Sequence, residues 1–325
     1  GLGVDCVSGG EIETALRAGF KADNIVFAGV GKSDWEIKLA LENNIFCFNV
    51  ESIQELEVIE QLCNEMNQQA NVCLRVNPNV NAHTHKNITT GLAENKFGIP
   101  VDCVWEAIEK MQAMKHVRFI GLHFHIGSQI VNLNDFRELC TSVNSLLELL
   151  KQHNIEPKHI NVGGGLGIDY DDPTSHPIPD FKAYFDMYAQ HLQLNERQKV
   201  HFELGRSLVG QCGYLVSRVL YVKQGQSKRF LILDAGMNDL LRPALYHAKH
   251  QIVNLSNPSA TSEVYDVVGP VCESSDVFSR DVLLPQSHRG DLMAICSAGA
   301  YGEAMASQYN CRQLPKSYLS DDFNI

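Results

Sequence analysis

The absences come first. The ten cysteines form no C-x-x-C pair and no Cys/His set at zinc spacing, so neither a dithiol redox motif nor a zinc ribbon is encoded. Scattered thiols of this kind read as reduced cysteines of a cytoplasmic protein. No apolar run approaches the ~18 residues of a membrane span, so no membrane partner is expected. Positive charge is scarce. Lys+Arg number 27 against 38 Asp+Glu, for a formal net charge of -11. That argues against a nucleic-acid partner, because phosphates need Lys and Arg. The chain shows no low-complexity linker and no initiator methionine. It opens on Gly1-Leu2-Gly3-Val4-Asp5-Cys6-Val7, which already reads as a strand.

What remains is ordinary globular composition, 44% hydrophobic and 20% charged. A length of 325 residues suggests about two domains. Up to residue 205, short β-like runs alternate with amphipathic stretches. The runs are 4–7, 25–28, 45–50, 71–76, 119–125, 159–162 and 200–204. Ser8 with Glu11, Ser33 with Glu36 and Ser52 with Glu55 each fit the S-x-x-E capping box and each follow a β run. Pro100 suits a first helical position and Asp180 a cap. Such alternation predicts parallel strands covered by helices. A doubly wound sheet would carry G-x-G-x-x-G after an early strand, and none is there. The expected architecture is therefore a TIM-type (β/α)8 barrel with seven of its eight units in this chain.

From about residue 211 the texture changes. Runs at 214–222, 229–234, 263–268, 281–284 and 292–297 are β-like and separated by Gly, Pro, Asn and Ser. They predict a separate all-β domain, sandwich- or barrel-like. The expected division is 1–210 for the barrel and 211–325 for the β domain.

Three clusters in the barrel could carry chemistry. His123 and His125 are two apart on a strand and so share a face. A metal pair would need further ligands at other strand ends. His159 and His201 stand at strand starts, the wrong end of a barrel for chemistry, so no metal site is expected. The pair is then structural, or His125 faces a planar ligand at the barrel mouth with Ser128 just beyond. Gly163-Gly164-Gly165 follows the next strand. It is either a tight turn or a place where backbone N–H groups approach a phosphate. Glu203 lies inside an apolar strand, which is costly unless it is paired. Its partner is Arg206, or the protonated ring nitrogen that pyridoxal 5'-phosphate would supply. In the second domain, Arg242 to Tyr246, Gly269 to Asp276 and Ser297 to Gly302 lie at strand ends or in loops, where polar residues are either solvated or functional.

Read together, H-F-H-I-G-S-Q, G-G-G-L-G, E-L-G-R-S-L-V, R-P-A-L-Y, G-P-V-C-E-S-S-D and G-A-Y-G resemble the pyridoxal phosphate-dependent decarboxylases with the alanine-racemase-like fold. The resemblance covers essentially the whole chain. C-E-S-S-D with R-P-A-L-Y marks the branch that acts on diaminopimelate. The resemblance implies that His125 stacks on the cofactor ring. Ser128, Gly164, Gly165 and neighbouring amides would cradle its phosphate, and Gly205 and Arg206 would also bind the cofactor. Glu203 would keep the ring nitrogen protonated. Tyr301 would touch cofactor or substrate, with Asp5 and Arg75 in support. Arg206, Arg242, Tyr246 and Glu273 would bind meso-diaminopimelate. Cys272 would return a proton after carbon dioxide leaves. Cys272 and Glu273 would reach into a partner's site, making the enzyme a homodimer that yields L-lysine.

The charges agree with that substrate. Its far end carries a carboxylate and an ammonium group. A forked Arg takes the first and Glu273 the second, whereas ornithine would call for acids without Arg. Two departures stand out. Leu204 replaces the proline of E-P-G-R. The cofactor lysine of the family belongs to a Y-A-x-K-A-N-like segment upstream of the Val4 strand, and no such segment occurs here. Lys96 occupies a different family position. The expectation is that 325 residues understate the native chain and that this stretch alone is inactive. The alternatives are a related basic amino-acid decarboxylase, a non-catalytic relative that binds a partner, and a metal-dependent barrel hydrolase.

Overall fold

A computed structural model describes residues 2–80 and 96–323. By internal packing the chain forms two units: Gly1–Gly165 with Asp180–Leu204, and Leu166–Pro179 with Gly205–Ile325.

The first unit is built on β1 (Val4–Cys6), β2 (Ile25–Phe27), β3 (Cys47–Val50), β4 (Ala70–Asn77), β5 (Ile99–Pro100), β6 (Val117–His123), β7 (His159–Asn161) and β8 (Lys199–His201). All pair in parallel. The sheet runs β1-β2-β3-β4-β6-β7-β8, with β5 beside β4. A doubly wound sheet reverses its order at a switch point. Here neighbours follow the chain, which is barrel order. The predicted runs overshoot some strand ends: 119–125 against Val117–His123, and 200–204 against Lys199–His201. The excess residues are the loops that carry candidate side chains.

Helices α1 (Gly9–Arg17), α2 (Asp34–Glu42), α3 (Ile53–Met66), α4 (Val104–Ala113), α5 (Leu133–Gln152) and α6 (Phe181–His191) connect the strands. The three S-x-x-E motifs do cap helices. Ser8 Oγ accepts the Glu11 N–H at 3.2 Å and Ser52 Oγ accepts that of Glu55 at 3.1 Å. In both, the Glu reaches one residue beyond its expected partner, to the N–H of Val7 at 2.7 Å or of Glu51 at 2.8 Å. The box is closed at Ser33, whose own N–H meets Glu36 at 2.9 Å. Asp180 caps α6 through the Ala183 N–H at 2.8 Å. Pro100 differs from expectation. It ends β5, and α4 begins only at Val104 after the 3-10 turn Val101–Cys103. In α5, Phe136, Leu139, Val143, Leu146 and Leu150 are buried at the spacing of one helix face. Each contributes about 1.5–3 kcal/mol by leaving water.

The second unit opens with α7 (Arg206–Val209). It continues through β9 (Leu215–Gln224), β10 (Arg229–Leu233), α8 (Arg242–Tyr246), β11 (Ile252–Asn254), β12 (Ser262–Val268), β13 (Val277–Pro285) and β14 (Leu292–Ile295). Its sheet order is β11-β14-β9-β10-β12-β13. The β10–β12 pair is parallel and the rest antiparallel. Leu231, Leu233, Tyr265, Val267 and Met293 centre its core. Strand β11 lies outside the predicted runs. Strand β13 is longer than predicted. Its register shifts opposite Tyr265/Val267, near Asp281 at φ 50°, and that bulge breaks the alternating pattern.

Candidate active site

In the first unit, polar side chains gather at the C-terminal ends of the strands. Glu203, past β8, has a side chain only 10% exposed. One carboxylate oxygen accepts from Asn161 Nδ2 at 2.7 Å and from Asn49 Nδ2 at 3.4 Å. The other meets His123 Nε2 at 3.0 Å. Burial pushes the carboxyl up to about 7, against those amide hydrogen bonds and the Arg75 charge. Burial, then the Arg75 charge, holds His123 neutral. The partners of Glu203 named here are therefore two amides and an uncharged ring. Asp5 on β1 can still be reached by solvent, yet the surrounding protein and the Glu203 charge raise its carboxyl well above the usual range.

Arg75 on β4 is the cation of this group. Its Nη1 donates to Glu51 at 2.5 Å, with side-chain exposures of 8% and 2%. Its guanidinium lies 4.8 Å from the centre of the Phe97 ring. The other Glu51 oxygen accepts the Gly98 N–H at 2.8 Å. Lys32 is also buried, but its ammonium donates to Gly29 O, Asn49 O and Glu55 at 2.9, 2.7 and 2.6 Å. With its three protons committed, it is no candidate for covalent attachment.

His125 lies beyond the end of β6 and parts from His123. Its Nδ1 accepts the Gly164 N–H at 3.2 Å, which places its own proton on Nε2. Burial, then the Arg75 charge, pushes it down to about 3, so it is an uncharged flat ring. Ser128 follows, half-buried. The glycine turn is shaped by close backbone approaches. A Cβ on Gly163 (φ +72°) would stand 2.3 Å from Phe124 O, one on Gly164 2.0 Å from Glu203 O, and one on Gly165 (φ +103°) 2.4 Å from Gly127 O. Gly164→Ala is therefore expected to displace Glu203 and cost at least about 2 kcal/mol, read by denaturant unfolding; a loss below 0.5 kcal/mol would refute this account.

His159 starts β7 as expected, but His201 ends β8 instead of starting it; the two rings bond each other at 2.9 Å. Among the described residues no group of three or more His, Cys, Asp or Glu is placed to hold a metal ion.

In the second unit, Arg206 and Arg242 are 7% and 5% exposed. Arg206 Nη1 donates to Tyr170 Oη at 2.5 Å, and its guanidinium lies over the Tyr301 ring at 4.7 Å. Tyr301 has φ 57°, a left-handed backbone held in a tight turn. Arg242 opens α8 and lies over Tyr170 at 4.6 Å, with Nη1 2.8 Å from His250 Nε2. Tyr246 ends the same helix, half-buried. Cys272 and Glu273 stand exposed in a loop organised by Asp276. That carboxylate accepts the N–H groups of Val271 at 2.6 Å and Met237 at 2.7 Å. Glu273 accepts from the Tyr309 hydroxyl and, at 3.2 Å, from Ser275. Gly205, exposed, leads into α7.

Of the sequence-predicted residues, the structure brings Asp5, Arg75, His125, Gly164 and Glu203 together on one unit. On the other it brings together Arg206, Arg242 and Tyr301. Sequence reasoning missed Asn49, Glu51, Asn161, Tyr170 and His250. The first three are polar residues at or just past a strand end on a barrel, which is the signal that could have found them.

Comparison with known proteins follows from this geometry. Residues 1–210 match the family model of the pyridoxal-dependent decarboxylases, pyridoxal binding domain. The chain is 62% identical over 322 residues to the diaminopimelate decarboxylase of Bacteroides thetaiotaomicron, covering 99% of this chain and 83% of that one. Identity is 45% over 330 residues to the Helicobacter pylori enzyme of the same name, covering 100% and 80%. Among solved structures, a Helicobacter pylori diaminopimelate decarboxylase complexed with L-lysine superposes with a TM-score of 0.89. It is 44% identical, covering 95% of this chain and 76% of that chain.

Proposed function

This chain belongs to the pyridoxal-dependent decarboxylases, and from that membership we infer that it converts meso-2,6-diaminopimelate to L-lysine and carbon dioxide, the last step of lysine biosynthesis. The observation that carries the substrate reading is the pair of buried guanidiniums, Arg206 and Arg242, held by neutral partners. They suit a substrate whose non-reacting end bears a carboxylate.

The donor set of the first unit fits pyridoxal 5'-phosphate. Glu203 is nearly buried among neutral donors, the surroundings of a carboxylate that awaits a cationic ring N–H. His125 is an uncharged plane. Ser128, Gly164 and Gly165 would hold the phosphate, and Gly205 the entry to α7. When bound, the cofactor supplies an electron sink for the pair left behind by departing carbon dioxide. Glu203 keeps the proton on the ring nitrogen. Asp5 and Arg75 set the charge around Glu203. Arg206 and Arg242, with Tyr246 and Tyr301, orient the far carboxylate, and Glu273 takes the far ammonium. Cys272 returns the proton to the α-carbon. We assign cofactor binding to 1–210 and these substrate contacts largely to 211–325.

Cys272 and Glu273 lie in an exposed loop, which supports a homodimer in which each subunit completes its partner's site. Mixing Cys272→Ala with Glu203→Gln subunits should then restore part of the lost activity; mixtures as inactive as their parents would refute sharing. Cys272→Ala alone should lower kcat by about 10²-fold while lysine affinity holds. The overall reading is tested by supplying meso-diaminopimelate, ornithine and arginine separately and measuring carbon dioxide and lysine. Turnover of ornithine in preference to diaminopimelate would sink it. No helix among the described residues is long and apolar enough to cross a membrane.

A further inference from the structure

The two buried arginines of the second unit, Arg206 and Arg242, bond a phenol and an imidazole, and the side chains that supply these groups have had no role so far. Tyr170 is the hub. Its hydroxyl accepts from Arg206 Nη1 at 2.5 Å, and its ring face carries the Arg242 guanidinium at 4.6 Å. Its own carbonyl accepts the Gln251 N–H, and its ring meets that of His250 at 4.9 Å and 72°. His250 holds the other guanidinium. Its Nδ1 donates to Cys296 O at 2.8 Å, so Nε2 carries a lone pair, and that lone pair accepts from Arg242 Nη1 at 2.8 Å. Tyr170 is 8% and His250 6% exposed.

A carboxylate in either place would orient a guanidinium equally well, but it would also neutralise it and compete with an incoming carboxylate. A phenol and an imidazole fix direction and leave the charge intact. Both arginines are buried, and burial first, then the charge of Arg206, depresses the ionisation of Arg242. Such a pair is unfavourable on its own and is relieved by one anion between the forks.

We propose that Tyr170 and His250 are the positioning residues of a carboxylate fork. They preset Arg206 and Arg242 for the non-reacting carboxylate of the substrate, and so favour amino-dicarboxylates over diamines and simple basic amino acids. This rests on the diaminopimelate reading and adds to it the side chains that set specificity.

The test uses the holoenzyme. Tyr170→Phe keeps the ring under Arg242 and removes the acceptor for Arg206. His250→Phe removes the acceptor for Arg242, and His250→Gln restores both an acceptor and a donor. Tyr170→Phe and His250→Phe are expected to raise KM for diaminopimelate about tenfold with kcat within about twofold, the signature of lost binding common to ground and transition state. L-lysine, which keeps the far carboxylate, should lose affinity about tenfold by calorimetry. Cadaverine, which lacks it, should bind unchanged. His250→Gln should recover most of the lysine affinity.

Equal losses for lysine and cadaverine would overturn the proposal, since general loosening does that. So would no loss for either ligand. Should a variant fold poorly, the cadaverine-to-lysine affinity ratio on its folded fraction still decides. If the wild-type enzyme neither decarboxylates diaminopimelate nor binds lysine, the functional reading itself fails, a result separate from wild-type behaviour in the variants.

Discussion

Glu203→Gln is expected to lower kcat by about 10²–10³-fold while the cofactor stays bound. The amide keeps an acceptor for Asn161, and its NH2 can donate to His123 Nε2 once the ring proton moves to Nδ1, so the local geometry survives. What is lost is the negative charge that holds a proton on the ring nitrogen. The same substitution should stabilise the protein in the absence of cofactor. The folded carboxyl is pushed up to about 7, above the ordinary value near 4.3. Its ionisation therefore opposes folding. The cost is absent below about pH 4, grows as pH rises, and is fully present above about pH 7, where it amounts to up to ~3 kcal/mol. Thermal unfolding of cofactor-free wild type and variant at pH 5 and pH 8 reads this directly. The variant should gain at pH 8 and much less at pH 5. Unchanged turnover would remove Glu203 from the chemistry, and an equal gain at both pH values would remove the buried charge as its cause.

Arg75→Met is the second large effect. Arg75 is ion-paired to Glu51, with both side chains nearly buried, and its charge also eases the ionisation of Asp5 and Glu203. Removing it leaves Glu51 ionised in the protein with the Gly98 N–H for support. Breaking one partner of a buried pair costs about 3–5 kcal/mol, measurable by urea unfolding. The acid limb of the kcat profile should move to higher pH, because the Glu203 carboxyl rises further without Arg75. Adding Glu51→Gln to Arg75→Met removes the stranded charge, which itself raises the Glu203 carboxyl, and should recover much of the stability and part of the pH profile. Full restoration of both by the double variant would mean that Arg75 acts only by offsetting Glu51.

These two residues differ in how visible they are along the chain. Glu203 stands out because a carboxylate interrupts the apolar run Val200, Phe202, Leu204. Arg75 likewise interrupts the 71–76 run, but its partner Glu51 lies just beyond another strand and looks like an ordinary start to α3. Only parallel pairing of β3 with β4 makes the two neighbours. The capping motifs at Ser8, Ser33 and Ser52 were legible because caps are local. Pro100 misled for the same reason in reverse: local preference allowed a helix start, and pairing with β4 made it a strand end.

The sequence by itself determined the alternation of strands and helices in the first unit, the all-β character of the second, and the residue types of the chemistry. Periodicity, caps and motifs act over a few residues, so they survive in one dimension. The tertiary structure decided which charges meet. It set Glu203 among neutral donors, bound Lys32 so fully that it is excluded from attachment, and gave Arg206 and Arg242 a phenol and an imidazole as partners. Those outcomes depend on burial and on distances between residues tens of positions apart, and side-chain ionisation follows from them. The segment around Tyr170 shows this best. Lying directly after the glycine turn, it reads as a barrel loop, yet it packs with the second unit, where its aromatic ring orients two buried cations.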